Sequence, residues 1–293
     1  MKQIIKLIAI ILLSQSACSQ TKNKSEKLEI QKDIFISIDH IPIVVNDLEK
    51  IKNIFKTQLH FTIKEGKVHE GIKNCFVKFQ GGTYLEFIEP LDSSYSIGKY
   101  YASFLKTRQG GTSLAISIKN NDLAKKMLTE KNIPFSIDSS NKIWQTIELE
   151  NYKLFFIEYS DHAWKENPAN TKHSNTATSL NSTYFLCDDI NEEAKKYNHL
   201  GFTETEKGLY FEMPYKLFKA GQSSLYLLDG KYSSKINQLL NSKKLKGICG
   251  FEIKVNSLET FNKLVKQKSN VNYEKNRTTI YLKIYNIFLT FTE

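Results

Sequence analysis

Apolar positions along this chain switch between one-in-two and helical spacing, and the switch repeats. Phe35 to Val45 is rich in strand-forming residues; Leu48, Ile51, Ile54 and Phe55 then recur at helical spacing, and a new strand is predicted from Phe61. Alternating segments around Cys75 to Phe79 and Tyr84 to Ile88, divided by Gly81-Gly82, complete a strand–helix–three-strand unit. The order returns with a strand at Leu114 to Ile118, a helix at Leu123 to Glu130, and strands at Phe135, Trp144 to Leu149 and Leu154 to Glu158. A third unit is predicted from Tyr184 to Leu228 and a fourth from Phe251 to Phe291.

The units match each other in detail at one place. Leu59-His60-Phe61-Thr62 corresponds to Leu200-Gly201-Phe202-Thr203, and each phenylalanine follows an acidic residue (Asp47, Asp188) by the same interval. Gly201 suits the left-handed stop of a helix, and His60 takes that place at a conformational cost. Copies of one supersecondary unit pair most simply into two domains. We therefore expect an α+β protein of four βαβββ modules, with the first domain over residues 33–160 and the second over 183–293. The polar stretch 161–182, with Pro168 and several Asn, Ser and Thr residues, reads as the linker.

Composition adds bounds. The 293 residues carry 41 Lys+Arg against 31 Asp+Glu, with 41% hydrophobic and 12% aromatic content, enough for a large core. The lysines are scattered and arginine is limited to Arg108 and Arg277, which argues against nucleic-acid readout. At the N-terminus Lys2 and Lys6 flank the apolar run Ile4 to Leu13, followed by Ser14-Gln15-Ser16-Ala17-Cys18. That pattern reads as an export signal, too short to span a bilayer, which takes about 20 apolar residues. Residues 1–18 are read as the signal and the polar, lysine-rich 19–32 as a flexible tether. Cys75, Cys187 and Cys249 lie far apart in apolar segments and read as buried thiols rather than a disulfide framework.

With these patterns in hand, the chain resembles the vicinal oxygen chelate superfamily, and most closely its large bacterial glyoxalase-like domains. The resemblance rests on Asp39-His40-Ile41, the helix start at Asp47-Leu48, the final strand Leu85-Glu86-Phe87-Ile88-Glu89-Pro90, and Gly66 to Asn74 with His69, Gly71 and Asn74. It also rests on Lys172-His173-Ser174-Asn175-Thr176-Ala177, in which Ser174 and Thr176 depart from the family segment. It implies two glyoxalase/bleomycin-resistance-like domains with curved mixed sheets. Ser16-Ala17-Cys18 is similar to a bacterial lipobox, which implies lipidation at Cys18, export, and anchoring in the cell envelope; Gln15 departs from that pattern.

The resemblance also implies a ligand set. Metal-dependent members take a histidine from the first strand and a glutamate from the last strand of one module, and a second such pair from the partner module. The first module offers His40 and Glu86. The second offers Ser113 and Phe155 in those places, the third Asn181 and Tyr226, and the fourth Gly250 and about Thr290. Only His69 is at hand to complete a site, so His40, His69 and Glu86 are the candidate ligands for one divalent zinc, iron or manganese. Strand parity puts Glu86 on the cleft face and Glu89 on the other. His40 and Glu86 are also the candidate catalytic pair, and Asn74, His173 and Asn175 the candidate substrate contacts.

Two functions follow as expectations. One is an envelope enzyme whose metal polarises vicinal oxygens of a small substrate. The other is a non-catalytic lipoprotein that binds a small aromatic or apolar ligand, favoured by the lack of a carboxylate at Ser113 and Phe155. A small-molecule partner and a membrane reached through Cys18 are expected; nothing in the sequence sets an oligomeric state.

Overall fold

The computed structural model describes residues 34–160, 167–243, 245–266 and 271–293. The predicted export signal, tether and lipidation site at Cys18 lie outside these residues, as does the start of the predicted linker.

The first domain begins with β1 (Phe35–Ile38) and β2 (His40–Val44), one run interrupted at Asp39. α1 (Leu48–Asn53) follows and continues into a π-helical turn at Ile54–Gln58; then come β3 (Lys64–His69), β4 (Ile72–Lys78) and β5 (Tyr84–Pro90). After α2 (Ser96–Leu105) and the short β6 (Gly110–Gly111), the pattern repeats as β7 (Leu114–Ile118), α3 (Asn121–Glu130), β8 (Phe135–Asp138), β9 (Trp144–Leu149) and β10 (Leu154–Tyr159). The strands form two five-stranded mixed sheets, β3-β4-β5-β2-β6 and β1-β7-β10-β9-β8. They meet where the first strands of the modules cross, held by Asp39 N donating to Ala115 O (2.8 Å) and Thr112 N donating to Pro42 O (3.0 Å).

The second domain runs through α4 (Pro168–Thr171), β11 (Ala177–Cys187), α5 (Ile190–Leu200), β12 (Thr203–Tyr210), β13 (Met213–Ala220), β14 (Ser223–Asp229) and α6 (Ser234–Leu239). It ends with β15 (Gly247–Val255), α7 (Leu258–Val265), β16 (Val271–Glu274), β17 (Arg277–Leu282) and β18 (Ile287–Thr292). Its single eight-stranded sheet, β12-β13-β14-β11-β15-β18-β17-β16, keeps the strand order of the first domain without the break.

Two boundaries differ from the sequence reading. Phe61 precedes its strand: it is buried against Phe55, Phe79 and His173, and β3 starts three residues later at Lys64. The expected linker to 182 also ends early, because β11 starts at Ala177. Register shifts at Ala177/Ser179 and Leu180/Ser182 break the alternation there, which is why polar Ser179, Asn181 and Ser182 read as linker.

Helix starts are built alike. Asp47, Asn120 and Ser257 each accept from the backbone N–H three residues on. A glutamate at the end of the module's last strand then reaches the first helical N–H: Glu89 to Leu48 N (3.0 Å), Glu158 to Asn121 N (2.9 Å) and Glu293 to Leu258 N (2.6 Å). The carboxylate satisfies an orphan donor and faces the positive end of the helix dipole. In the third module the cap is Asp189 rather than Asp188. The first module thus holds one more residue than the third between cap and phenylalanine, and the π turn at Ile54–Gln58 absorbs it.

One hydrophobic core joins the two domains. Phe35 packs edge-on against Phe202 (4.8 Å) and tilts against Phe156 (5.3 Å), and Phe61 meets Phe291 at 6.3 Å. Gly111 allows the close approach of β6 and β15: a Cβ there would fall 2.6 Å from Ile248 Cγ2.

Candidate functional site

Strand parity divides the first module. Ile41, Ile43, Leu85 and Phe87 enter the core with α1, and His40, Tyr84 and Glu86 take the opposite, concave face with Asn74. His40 is buried at 7% exposure. Its Nδ1 donates to Asp39 Oδ1 (2.6 Å), since an ionised carboxylate only accepts, and its Nε2 lies 3.7 Å from Glu86 Oε2. The imidazole stacks nearly parallel on Tyr84, centroids 4.6 Å apart, and meets the edge of Phe155 at 5.7 Å.

A second layer fixes this arrangement. Tyr159 donates its hydroxyl to Asp39 Oδ1 (3.0 Å) and lies 3.5 Å from the Tyr84 hydroxyl. Burial first, and then the charge of Asp39, pushes both phenols well above their ordinary range, so they remain proton donors. Lys78 Nζ sits 4.8 Å from the Tyr84 ring centroid. A cavity of about 970 Å³ opens beside Asp39 and Tyr159, bounded also by Ser37, Ser117, Lys172 and His173.

Asn74 braces Glu86. Its Oδ1 accepts from Lys67 N (2.9 Å) and its Nδ2 donates to Glu86 Oε1 (2.8 Å). Gly66 leaves the room, since a Cβ there would fall 1.9 Å from Asn74 Oδ1. Asn74 is thus a support for Glu86. The same Nδ2 lies 3.4 Å from His69 Nε2, so an N–H₂ group stands between His69 and Glu86. An amide nitrogen donates protons and does not ligate a cation, so His69 stays apart from the pair. His40 and Glu86 alone are fewer than the three protein donors of an open catalytic metal site. Among the described residues no three His, Cys, Asp or Glu side chains are grouped to hold a metal ion. The expected triad does not fit zinc, iron or manganese.

His173 and Asn175 come close to the site but face the backbone. His173 Nδ1 accepts from Thr62 N (3.0 Å) and Nε2 donates to Lys78 O (2.9 Å). Burial holds this imidazole down to about 4. Asn175, wholly buried, donates to Leu59 O (2.6 Å) and accepts from Ala177 N (3.0 Å). Neither keeps a free hydrogen-bonding atom for a substrate; both fasten the second domain's entry strand to the first domain.

The register confirms which residues occupy the corresponding places elsewhere. Glu86 pairs with Pro42, two residues after His40; Phe155 pairs with Ala115, two after Ser113; Thr290 pairs with Glu252, two after Gly250. In the third module Tyr226 pairs with Tyr184, so Ser182 rather than Asn181 holds the histidine's place. The concave face of the second domain is filled by its own rings: Tyr184 stacks on Tyr210 and on Tyr226, each at 4.7 Å. Phe288 and Ile236 are fully buried in the same cluster.

Asp39, Tyr84 and Tyr159 were not among the site residues expected from sequence, although Asp39 and Tyr84 lie in the segments that carry the resemblance and the last strand. The adjacency of Asp39 to His40 and the parity of Tyr84 with Glu86 are visible there; the reach of Tyr159 across the sheet is not.

A family model described as a glyoxalase-like domain matches residues 38–206, more than half of the chain. Among solved structures, a hypothetical protein from Staphylococcus aureus is 12% identical with a TM-score of 0.60, over 87% of this chain and 98% of that one. Homoprotocatechuate 2,3-dioxygenase from Arthrobacter globiformis is 10% identical with a TM-score of 0.60, over 89% and 81%. An extradiol ring-cleaving dioxygenase from B. fuscum is 11% identical with a TM-score of 0.60, over 88% and 72%. At these identities the likeness is one of fold. No curated protein matches the chain.

Proposed function

Because the chain belongs to the glyoxalase-like domain family, we propose that its first domain binds a small, ring-bearing molecule on the concave face and that His40 exchanges a proton with it. The observation that carries this reading is the Asp39–His40–Glu86 array, with Asp39 on Nδ1 and Nε2 turned toward Glu86. A carboxylate on Nδ1 holds the imidazole in the tautomer whose Nε2 is the free base, and supports the positive charge that proton uptake creates. Tyr84 and Phe155 offer rings on which a planar ligand can pack. The reaction class is proton abstraction next to a carbonyl, with His40 as acceptor and Glu86 as the neighbouring carboxylate. A resident metal has no part in it, since the donor set does not fit one.

The protein is placed by this proposal in the cell envelope, held by lipid at Cys18. Among the described residues no helix is long and apolar enough to cross a membrane. Labelled palmitate incorporated into the wild type and lost in Cys18→Ser is the expected result; unlabelled wild type would refute the anchor.

The test of the chemistry uses 2-hydroxyacetophenone, a neutral ring with vicinal oxygens. In deuterium oxide its methylene protons should exchange faster with the protein present. His40→Gln should slow that exchange by at least about 100-fold while leaving saturation-transfer contacts to the ring in place. Ring contacts without accelerated exchange would select the second reading, a non-catalytic binding protein, which the flanking rings also favour. Absence of contacts would refute both.

A further inference from the structure

Each module of the first domain presents one Phe–Glu cross-strand pair to the concave face, but the two residues have exchanged strands. In the first, Phe76 on β4 faces Glu86 on β5; in the second, Glu148 on β9 faces Phe155 on β10. Ile147 and Leu149 enter the core, so Glu148 between them points to the other face. Phe155, its direct partner, is the ring whose edge meets His40 at 5.7 Å. Residues opposed in this way hold their Cβ atoms about 4.5–5.5 Å apart.

Helix α2 links the two carboxylates. Its Tyr101 packs on the concave side against Val44, Ile72 and Ile88. Burial, and then the charges of Glu86, Tyr100 and Glu148, raises the Tyr101 hydroxyl well above its ordinary range. Glu148 keeps contact with solvent, yet the protein around it, and next the charge of Asp138, raises its carboxyl. Lys78, a cation on this face, lies at the Tyr84 end.

We infer that Glu148 is the carboxylate the second module contributes to the first-domain cleft, where with Glu86 it sets the charge of the ligand, favouring a ring that carries a positive group. The position opposite Glu86 in the pseudo-symmetric module is apolar, and the charge has moved one strand outward. This inference rests on the proposal that a ring-bearing ligand occupies that cleft.

Benzamidinium, benzamide and benzoate share one ring and differ in charge. Their dissociation constants, read from the shift of the His40 ring protons by NMR, should rise in that order, with benzamidinium at least about tenfold tighter than benzoate. Glu148→Gln, a change on an accessible side chain, should weaken benzamidinium about fivefold or more and leave benzamide within about twofold. Benzoate binding as well as benzamidinium, or a Glu148→Gln protein with unchanged benzamidinium affinity, overturns the inference. If none of the three shifts His40 but 2-hydroxyacetophenone does, the charge assignment falls and the cleft reading stands. If 2-hydroxyacetophenone also leaves His40 unmoved, both fall.

Discussion

Stability below neutral pH should depend on His173, which the cleft does not use. The ring is 6% exposed, between Phe61 (5.1 Å) and Phe79 (5.6 Å), with both nitrogens bonded to backbone. The Nε2–H tautomer satisfies Lys78 O and Thr62 N together; a second proton on Nδ1 would meet the Thr62 N–H. Desolvation therefore outweighs the pull of the Lys78 carbonyl, and the folded-state value falls to about 4. The unfolded chain takes up this proton near the ordinary value of about 6.5. A depressed folded value means that the stabilisation is present above about 6.5 and is lost as pH falls toward 4. One proton over that window costs about 1.4 kcal/mol per unit, or about 2 kcal/mol between pH 7 and pH 5. Urea unfolding of wild type and His173→Gln at pH 7, 6 and 5 isolates this contribution, because the carboxylates titrate in both proteins. Glutamine can keep one donor and one acceptor but fills less space, so the variant should start about 1–3 kcal/mol less stable and lose less on acidification. Equal pH slopes for the two proteins would refute the assignment of His173 as a buried neutral imidazole.

Other perturbations probe the joints of the fold and site. Arg108, held down to about 10 by burial, donates to Gly111 O (3.0 Å) and Ile248 O (3.4 Å) between the domains; Arg108→Ala should cost about 2–3 kcal/mol and speed amide exchange in β15. Unchanged exchange there would remove its clasping role. Glu158→Ala should cost about 1 kcal/mol by chemical denaturation, and Glu89→Ala a similar amount, because each uncaps one helix. An effect below about 0.3 kcal/mol for both would discard the shared capping device. Asn74→Ala, which removes the donor to Glu86, should slow 2-hydroxyacetophenone exchange, and Gly66→Ala, with its Cβ driven into Asn74, should slow it to a similar extent. A Gly66→Ala protein with wild-type exchange would show that Glu86 needs no brace.

The family was legible because its signals are local. Helical spacing, strand alternation and the Asp47 cap depend on residues within a few positions of each other. The sequence also carries a repeated ending: Phe87-Ile88-Glu89, Phe156-Ile157-Glu158 and Phe291-Thr292-Glu293 close three modules with a glutamate whose reach to the first helical N–H only the fold makes plain. His40 and Glu86 sit on one face by parity alone. The start of β11 escaped because bulges break the alternation on which parity rests.

What the tertiary structure decided is convergence. Asn74 stands between His69 and Glu86, Tyr159 reaches Asp39 from 120 positions away, and His173 turns both nitrogens to backbone. Glu148 shares a face with Phe155 only through the pairing of β9 with β10. A strand pattern states which face a side chain takes, and so it determined the modules and the His40–Glu86 half-site. Which side chains meet on that face is set by register between strands, where a one-residue slip reverses every side chain, and no single segment encodes it.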